Sequence, residues 1–379
     1  VEKSVSDPGR RPDLEWLKAL AALEVVVCHS DLAVKHFSGS LIARSWYLPL
    51  SGIGVEVFFV VSGYLICLRA PAYANALSFL RARLLRLMPL YALFTGLAVA
   101  ARLINPAWAW NRWDVSAGTI IGSFLILPQP HYPIVGVGWS LEHEVIFYAL
   151  VALLILATRL AGEAPVWFGL ALFGLGWCGA LVGIAPSDAA WYLHPVSVLM
   201  TGFAAGWLYR CHEVDGRVGV AWLLMACLAV TVTLSLGTDP ANTERSLRLT
   251  GASALVILFV ALRDTILRLP FADRILFPLG LATYSIYLSH WFTMSALGKA
   301  VGRLRLPESA QLPVRLAVIA VAVGVGLLVY RLLERPLDRW LRAGVPIGEA
   351  FRQPFRRRRA MGPEPPPEAG IAHPIGAHE

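Results

Sequence analysis

Residues 54–66 read GVEVFFVVSGYLI, an apolar run in which Glu56 is the one ionisable side chain. The run lies in a longer apolar stretch, which as a helix could cross a hydrocarbon core about 30 Å thick. Similar stretches recur along the chain and predict an all-α, polytopic membrane protein with about ten transmembrane helices. We place these spans near 14–34, 50–68, 87–102, 138–159, 165–184, 191–209, 218–237, 249–262, 275–298 and 313–333.

The composition supports the same class. The 379 residues are 57% hydrophobic and only 15% charged, with a mean hydropathy of +0.61, whereas soluble domains average about 25% charged residues. These values exclude an ordinary soluble enzyme. The net charge of +8 is typical of basic loops on the cytoplasmic side of a membrane, so we expect no nucleic-acid partner.

The distribution of basic residues predicts the orientation. With ten spans and both termini in the cytoplasm, 22 lysines and arginines lie on the cytoplasmic side and ten lie outside, as the positive-inside rule requires. Counting the shorter apolar stretch 118–127 as a further span would reverse every later loop. We therefore interpret 118–127 as a re-entrant or interfacial segment.

The chain divides into three parts. Residues 1–13 are predicted to be a cytoplasmic segment, residues 14–342 the transmembrane domain, and residues 343–379 a disordered basic and proline-rich cytoplasmic tail. We expect no cleavable signal peptide, because the polar N-terminal residues lead directly into a full-length span. Membrane lipids are predicted partners, since Arg356 to Arg359 could contact anionic headgroups.

Span 1 carries ionisable side chains at membrane depth, where each costs about 2.5 to 3.5 kcal/mol and therefore suggests function. Lys18 and His29 are 11 positions apart, so they share one helix face and lie about 16 Å apart along the axis. The alternative for His29 is a packed histidine that donates to a backbone carbonyl. Glu24 lies off this face and is expected to have a separate structural partner.

Three further motifs add polar groups. In span 2, Glu56 is placed to approach His29, whereas Ser62 and Gly63 are also consistent with ordinary small-residue packing. Before span 3, RARLLRLMPLY (81–91) is predicted to place Arg81, Arg83 and Arg86 on a helical face at the cytoplasmic mouth. These arginines either satisfy the positive-inside rule alone or bind phosphates.

Two outer segments complete the set. WSLEHEVIFY (139–148) opens span 4 with Glu142, His143 and Glu144, of which one or two can face a single cavity. TYSIYLSHW (283–291) places Tyr287 and His290 in span 9. The tyrosines are also consistent with an interfacial aromatic belt, so His290 is the more informative residue.

These motifs, in this order, resemble the acyltransferase 3 family of integral membrane O-acyltransferases, in particular its exopolysaccharide- and lipopolysaccharide-modifying members. The resemblance runs from about Asp13 to Pro336 and rests on the motifs KALAALEVVVCH, GVEVFFVVSGYLI, RARLLRLMPLY, WSLEHEVIFY, LGLATYSIYLSHW and ERPLD. Lys18 and His29 correspond to the Arg-x10-His pair of that family, so a lysine stands here in the position usually held by arginine.

The resemblance implies a bacterial inner-membrane enzyme that moves an acyl group, acetyl by expectation, from cytoplasmic acyl-CoA to a hydroxyl of a glycan or lipid-linked sugar. It implies a catalytic role for His29, Glu56 and Glu144, with Glu56 or Glu144 orienting His29. The predicted donor-binding residues are Lys18, Ser62, Arg81, Arg83 and Arg86, and the predicted acceptor-binding residues are His143, Tyr287 and His290. No metal is expected, and polysaccharide-synthesis proteins are candidate partners.

Two alternatives belong to other functional classes. Intramembrane His and Glu residues also form proton relays, which would suit a proton-coupled transporter or flippase of a glycan-related solute. The sequence shows no internal repeat and no matching pair of interrupted helices, which disfavours a transporter. A non-catalytic subunit of glycan export is the third hypothesis.

Overall fold

The computed structural model describes residues 11–34, 52–105, 116–158, 164–183, 191–215, 218–236, 238, 240–266, 270–304 and 306–343. Within these ranges the regular structure is helical and no strand occurs. The first helices are α1 Pro12–His29, α2 Asp31–Val34, α3 Ile53–Arg69, α4 Ala76–Ile104, α5 Ala117–Phe124, α6 Trp139–Thr158, α7 Val166–Val182 and α8 Met200–Asp215. They are followed by α9 Val218–Ser235, α10 Pro240–Ala261, α11 Arg263–Ile266, α12 Pro270–Leu281, α13 Thr283–Leu304, α14 Gln311–Val329 and α15 Arg335–Ala343.

The all-α membrane class is confirmed. Four segments of the described chain are long and apolar enough to cross a membrane: Ile53–Ala72, Ala76–Ile104, Gly136–Thr158 and Glu308–Leu341. Shorter apolar helices occur at Val166–Val182 and Gly219–Ser235. The total of ten spans and the cytoplasmic termini stay predictions, and the tail from 344 to 379 lies outside the described residues.

Two helices are longer than predicted, because their N-terminal parts are polar and lie outside the apolar runs that define the predicted spans. α4 begins at Ala76 rather than near 87, since Asn75 and Ser78 form a capping box at its N-terminus. The segment with the three arginines is therefore part of the helix. α10 begins at Pro240 rather than near 249, and proline is well suited to a first helical position.

Three predicted spans are interrupted at prolines. Residues 191–199 were placed in span 6, but Trp191–Val196, which contains Pro195, is a 3-10 helix and α8 begins only at Met200. Span 9 is divided into α12, with Pro278 in its last turn, and α13. Span 10 passes through a π-helix at Tyr330–Glu334 before α15. Pro336 follows this π-helix, and proline lacks the N–H that a continuous α-helix would use.

The central packing contact joins α3 to α8 at two glycines. A Cβ atom added to Gly63 would lie 2.1 Å from the Phe203 carbonyl oxygen, and one added to Gly206 would lie 1.8 Å from the Val60 carbonyl oxygen. Only glycine allows the two backbones to approach so closely. This contact fixes the depth of α3 and hence of Ser62 beside it.

Glu24 has the separate structural role that the sequence suggested. Its carboxylate accepts hydrogen bonds from the backbone N–H groups of Gly52 (2.7 Å) and Gly54 (2.9 Å). These N–H groups belong to the N-terminus of α3, where the helix itself offers no acceptor. A side chain of α1 thus caps α3 and aligns the two helices that carry Lys18, His29 and Glu56.

Candidate active site

A cavity of about 400 Å³ runs along α3 from Val55 and Phe58 at one end to Arg69 at the other. Its walls come from α1, α3, α4, α6, the α12–α13 junction and the π-helix with the start of α15. Six of the predicted site residues line it, namely Lys18, Ser62, Arg83, Arg86, Glu144 and Tyr287. In the predicted orientation, the Arg69 end faces the cytoplasm.

Arg83 provides the most available positive charge of this cavity. Its Nη2 donates to the Tyr73 hydroxyl (2.9 Å), and its guanidinium lies over the rings of Tyr73 and Phe79. No carboxylate of the described residues pairs with Arg83, and its buried Nε has no hydrogen-bond partner. This arrangement holds the guanidinium rigidly and leaves its charge available for an anion.

Two further cations of the cavity, Arg86 and Lys18, are balanced by carboxylates. Arg86 Nη1 lies 2.7 Å from Glu334 Oε1, and Lys18 Nζ lies 2.9 Å from Glu15 Oε1. Arg81 is exposed and does not line the cavity, because two residues correspond to about 200° around a helix and place Arg81 and Arg83 on different faces. A phosphate-binding role for Arg81 stays a prediction.

Glu144 lies in the wall of the cavity between α6 and α3. It accepts hydrogen bonds from the Ser62 hydroxyl (3.2 Å) and the Tyr148 hydroxyl. The close approach of α3 and α8 brings Ser62 to this position. Because these contacts fix the carboxylate beside the cavity, Glu144 is oriented toward the donor region rather than toward His29.

Tyr287 closes the end of the cavity opposite the arginines. Its hydroxyl donates to the Val137 carbonyl (2.9 Å) and lies 2.7 Å from the Ser140 hydroxyl. Its ring packs edge-on against Phe58 with the centroids 6.1 Å apart. Both aromatic residues belong to the cavity lining, so they form the boundary of the cavity at this end.

His29 and His290 form a pair that lies outside the cavity lining. His290 Nε2 is 3.2 Å from His29 Nδ1, and the His290 ring is 5.8 Å from that of Tyr287. His29 Nδ1 also lies 3.0 Å from the Val25 carbonyl oxygen. The structure therefore brings together two residues from spans 1 and 9 that had been assigned different roles, one catalytic and one acceptor-binding.

Glu56 is held by a residue that the sequence reasoning did not select. Its Oε1 lies 3.8 Å from Arg245 Nη1 of α10, and the Arg245 guanidinium lies over the Trp139 ring. The predicted approach of Glu56 to His29 is absent from the described contacts. The catalytic role of Glu56 stays a prediction.

His143 belongs to a second, fully buried histidine pair. Its ring stacks on that of His194 with the centroids 5.1 Å apart and an interplanar angle of 11°. His194 Nδ1 lies 3.6 Å from Glu142 Oε2, and His143 Nδ1 donates to the Trp139 carbonyl (3.0 Å). Neither histidine lines the cavity along α3, and an acceptor-binding role for His143 stays a prediction.

Glu334 belongs to the ERPLD motif, but it was not among the residues predicted from the sequence to form the site. Besides Arg86, its carboxylate accepts hydrogen bonds from the Ser285 hydroxyl (2.5 Å) and the Ser285 backbone N–H (3.2 Å). It thus joins the cationic end of the cavity to the start of α13. Its position in the ERPLD motif is the sequence feature that could have identified Glu334 as a site residue.

The comparison with protein families agrees with this geometry. A family model described as "Acyltransferase domain" matches residues 11–331. The chain belongs to the acyltransferase 3 family. This membership confirms the resemblance found in the motifs and identifies an enzyme that transfers acyl groups other than amino-acyl groups. It decides against the transporter and the non-catalytic subunit.

Two relatives extend over most of this acyltransferase. It is 29% identical over 315 aligned positions to the exopolysaccharide production protein ExoZ of Rhizobium meliloti (strain 1021), covering 78% of this chain and 92% of the relative. It is 25% identical over 383 aligned positions to the acyltransferase MdmB of Streptomyces mycarofaciens, covering 90% of this chain and 95% of the relative. No solved structure matches the chain.

Proposed function

We propose that this acyltransferase moves an acyl group, specifically acetyl, from cytoplasmic acyl-CoA to a hydroxyl of a cell-envelope or exported glycan. The observation that carries the proposal is a cavity with cations at one end and a boundary at Tyr287 at the other, beyond which lies the imidazole of His29. The enzyme would act as a multi-pass protein of a bacterial inner membrane.

Binding of the donor follows from the charges of the cavity. Coenzyme A carries several phosphate groups, and arginine binds phosphate through parallel N–H donors. Arg83 forms no salt bridge with a described carboxylate, while Arg86 and Lys18 are paired with Glu334 and Glu15. Arg83 is therefore the main phosphate ligand in our proposal, and Arg86, Lys18 and Ser62 line the path of the pantetheine arm.

The chemistry takes place where the arm passes Phe58 and Tyr287. Nε2 of His29 accepts the proton of the acceptor hydroxyl as the hydroxyl oxygen attacks the thioester carbonyl. A carbon–oxygen bond forms, the carbon–sulfur bond breaks, and the proton passes from His29 to the sulfur, which leaves as the free thiol of CoA. The reaction therefore needs no metal and no external acid.

The glycan acceptor is supported by the name of one relative and by the class of enzyme. ExoZ is described as an exopolysaccharide production protein, and an acyltransferase with an imidazole base requires a nucleophilic group such as a sugar hydroxyl. The acceptor, free or lipid-linked, approaches His29 from the side opposite the arginines. Membrane lipids surround the enzyme, and proteins of polysaccharide synthesis would present the acceptor.

The decisive experiment uses purified protein in lipid nanodiscs with acetyl-CoA labelled in the acetyl group. We expect label in an added exopolysaccharide fraction, or slow release of free thiol when water is the acceptor. Extracellular glycan from cells with and without the gene should differ in base-labile acetate. Neither transfer nor thiol release, together with glycans of equal acetate content, would exclude this donor and acceptor class.

A further inference from the structure

His29 needs a partner for the ring nitrogen that does not take part in proton abstraction. In many enzymes a carboxylate fills this position, and the sequence suggested Glu56 or Glu144. Glu56 instead contacts Arg245, and Glu144 contacts Ser62 and Tyr148. The ring that does contact His29 is the imidazole of His290.

The hydrogen-bonding state of His290 follows from its own neighbour. His290 Nδ1 lies 3.2 Å from the Ile286 carbonyl oxygen, which can only accept a hydrogen bond. Nδ1 of His290 therefore carries the hydrogen in the neutral ring. Its Nε2 is then an acceptor with a lone pair directed at His29.

The state of His29 follows in turn. Its Nδ1 faces two acceptors, the Val25 carbonyl oxygen at 3.0 Å and His290 Nε2 at 3.2 Å. Nδ1 of His29 must therefore carry the hydrogen, and Nε2 keeps the lone pair that a base requires. No described residue bonds to this Nε2.

We propose that His290 is the positioning residue of the catalytic base: it accepts the Nδ1–H of His29 and stabilises the imidazolium that forms when His29 Nε2 takes the acceptor proton. The proposal rests on the proposed function. A neutral imidazole suits this depth, because a permanently charged carboxylate is costly in a water-poor region of the membrane. The Val25 carbonyl remains a second acceptor, so loss of His290 reduces the rate without abolishing it.

The second histidine pair shows that this geometry is specific. His143 and His194 are nearly parallel, at 11°, and stack face to face, whereas His29 and His290 are tilted by 42° and joined nitrogen to nitrogen. In a stacked pair each ring nitrogen points within its own plane and away from the other ring. Proximity of two histidines alone therefore does not create the acceptor that His29 has.

The kinetic test compares His290→Met with His290→Gln, two side chains of similar size, of which Gln offers a strong carbonyl acceptor and Met only a weak thioether acceptor. Thiol release from acetyl-CoA, with water as acceptor, is measured in nanodiscs. We expect kcat to fall about 10- to 100-fold in His290→Met, as expected for loss of one hydrogen bond to a charged group, and to recover to within about fivefold in His290→Gln. The KM for acetyl-CoA should be unchanged in both. His194→Met, in the other pair, controls for the loss of a buried histidine.

The outcomes separate the two proposals. Wild-type kcat in His290→Met, or equal loss in the Met and Gln variants, overturns the role of His290. Full activity of His29→Ala removes His29 from the chemistry and overturns the role of His290 with it, whereas absence of both transfer and thiol release in the wild type contradicts the proposed function. If the wild type releases no thiol, nitrogen-15 spectra of the histidine side chains provide a second test. The His29 signal is assigned by its loss in His29→Ala. The wild-type spectrum must show His29 protonated on Nδ1, and the signal must change in His290→Met. Protonation of His29 on Nε2 would contradict the inference.

Discussion

The cavity and the histidine pair beyond Tyr287 differ in charge and in access. The cavity is lined by Lys18, Arg83 and Arg86, whereas His290 is fully buried and pairs with His29 through neutral ring nitrogens. In our proposal, donor binding and proton transfer are carried out by these two different sets of groups. Variants on the two sides should therefore change different kinetic constants.

The strongest test of the comparison is His29→Ala. Removal of a general base should lower kcat for acetyl transfer by about 10²- to 10⁴-fold, while the KM for acetyl-CoA stays near its original value because the arginines are untouched. Initial rates and acetyl-CoA titrations of the purified variant measure both. An active His29→Ala variant would remove His29 from the chemistry.

On the cavity side, Arg83→Ala should raise the KM for acetyl-CoA roughly tenfold or more, since a hydrogen bond to a charged group contributes about 1.5–3 kcal/mol. The kcat should change little. Arg274→Ala, which removes an exposed arginine of α12 outside the cavity, is the control for loss of positive charge. An unchanged KM in Arg83→Ala would remove this residue from donor binding.

The boundary between the two regions can be widened by Phe58→Ala. The larger passage should favour butyryl-CoA over acetyl-CoA by about tenfold in kcat/KM, because two further methylene groups can be buried at about 0.8 kcal/mol each. Competition between the two donors measures this ratio. Phe94→Ala, at an aromatic residue outside the cavity lining, should leave the ratio unaltered. If both variants change it equally, Phe58 is not the boundary.

The smallest effect on activity is expected from His194→Asn. The variant disturbs the stacked pair and the contact with Glu142, so the thermal unfolding midpoint should fall by a few degrees. Both kcat and KM should stay within about twofold of the wild type. A large loss of kcat at full stability would show that the second histidine pair takes part in the reaction.

The sequence predicted the helical membrane class and the family, because each depends on local composition or on ordered motifs, and six of its candidate site residues line the cavity. Lys18 and His29 could be placed on one face from helical periodicity alone. The same periodicity separates Arg81 from Arg83, although the three arginines were expected on one helical face. The helix irregularities in spans 6, 9 and 10 lie near Pro195, Pro278 and Pro336. A hydropathy value averaged over about 20 residues does not register a single proline, so these irregularities were not predicted.

The contacts between spans could not be predicted, because periodicity gives the face of a helix but not its neighbour. Three carboxylates show this limit: Glu24 caps α3, Glu56 pairs with Arg245 and Glu144 contacts Tyr148. Glu56 and Glu144 were plausible partners for His29 before the helices were packed, whereas Glu24 was expected to have a separate structural partner. Only the packing of α1 against α13 identifies His290 as the partner.

The aromatic boundary at Phe58 and Tyr287 also has a consequence for the energetics of the cell. An enzyme that passes an acyl group toward the far side of a bilayer risks providing a path for proton leak down the electrochemical gradient. Here the water-accessible cavity stops at two packed rings, and Tyr287 is anchored by Val137 and Ser140. A permanently open passage at this point would let protons through, so we expect the two rings to separate only when an acyl chain lies between them.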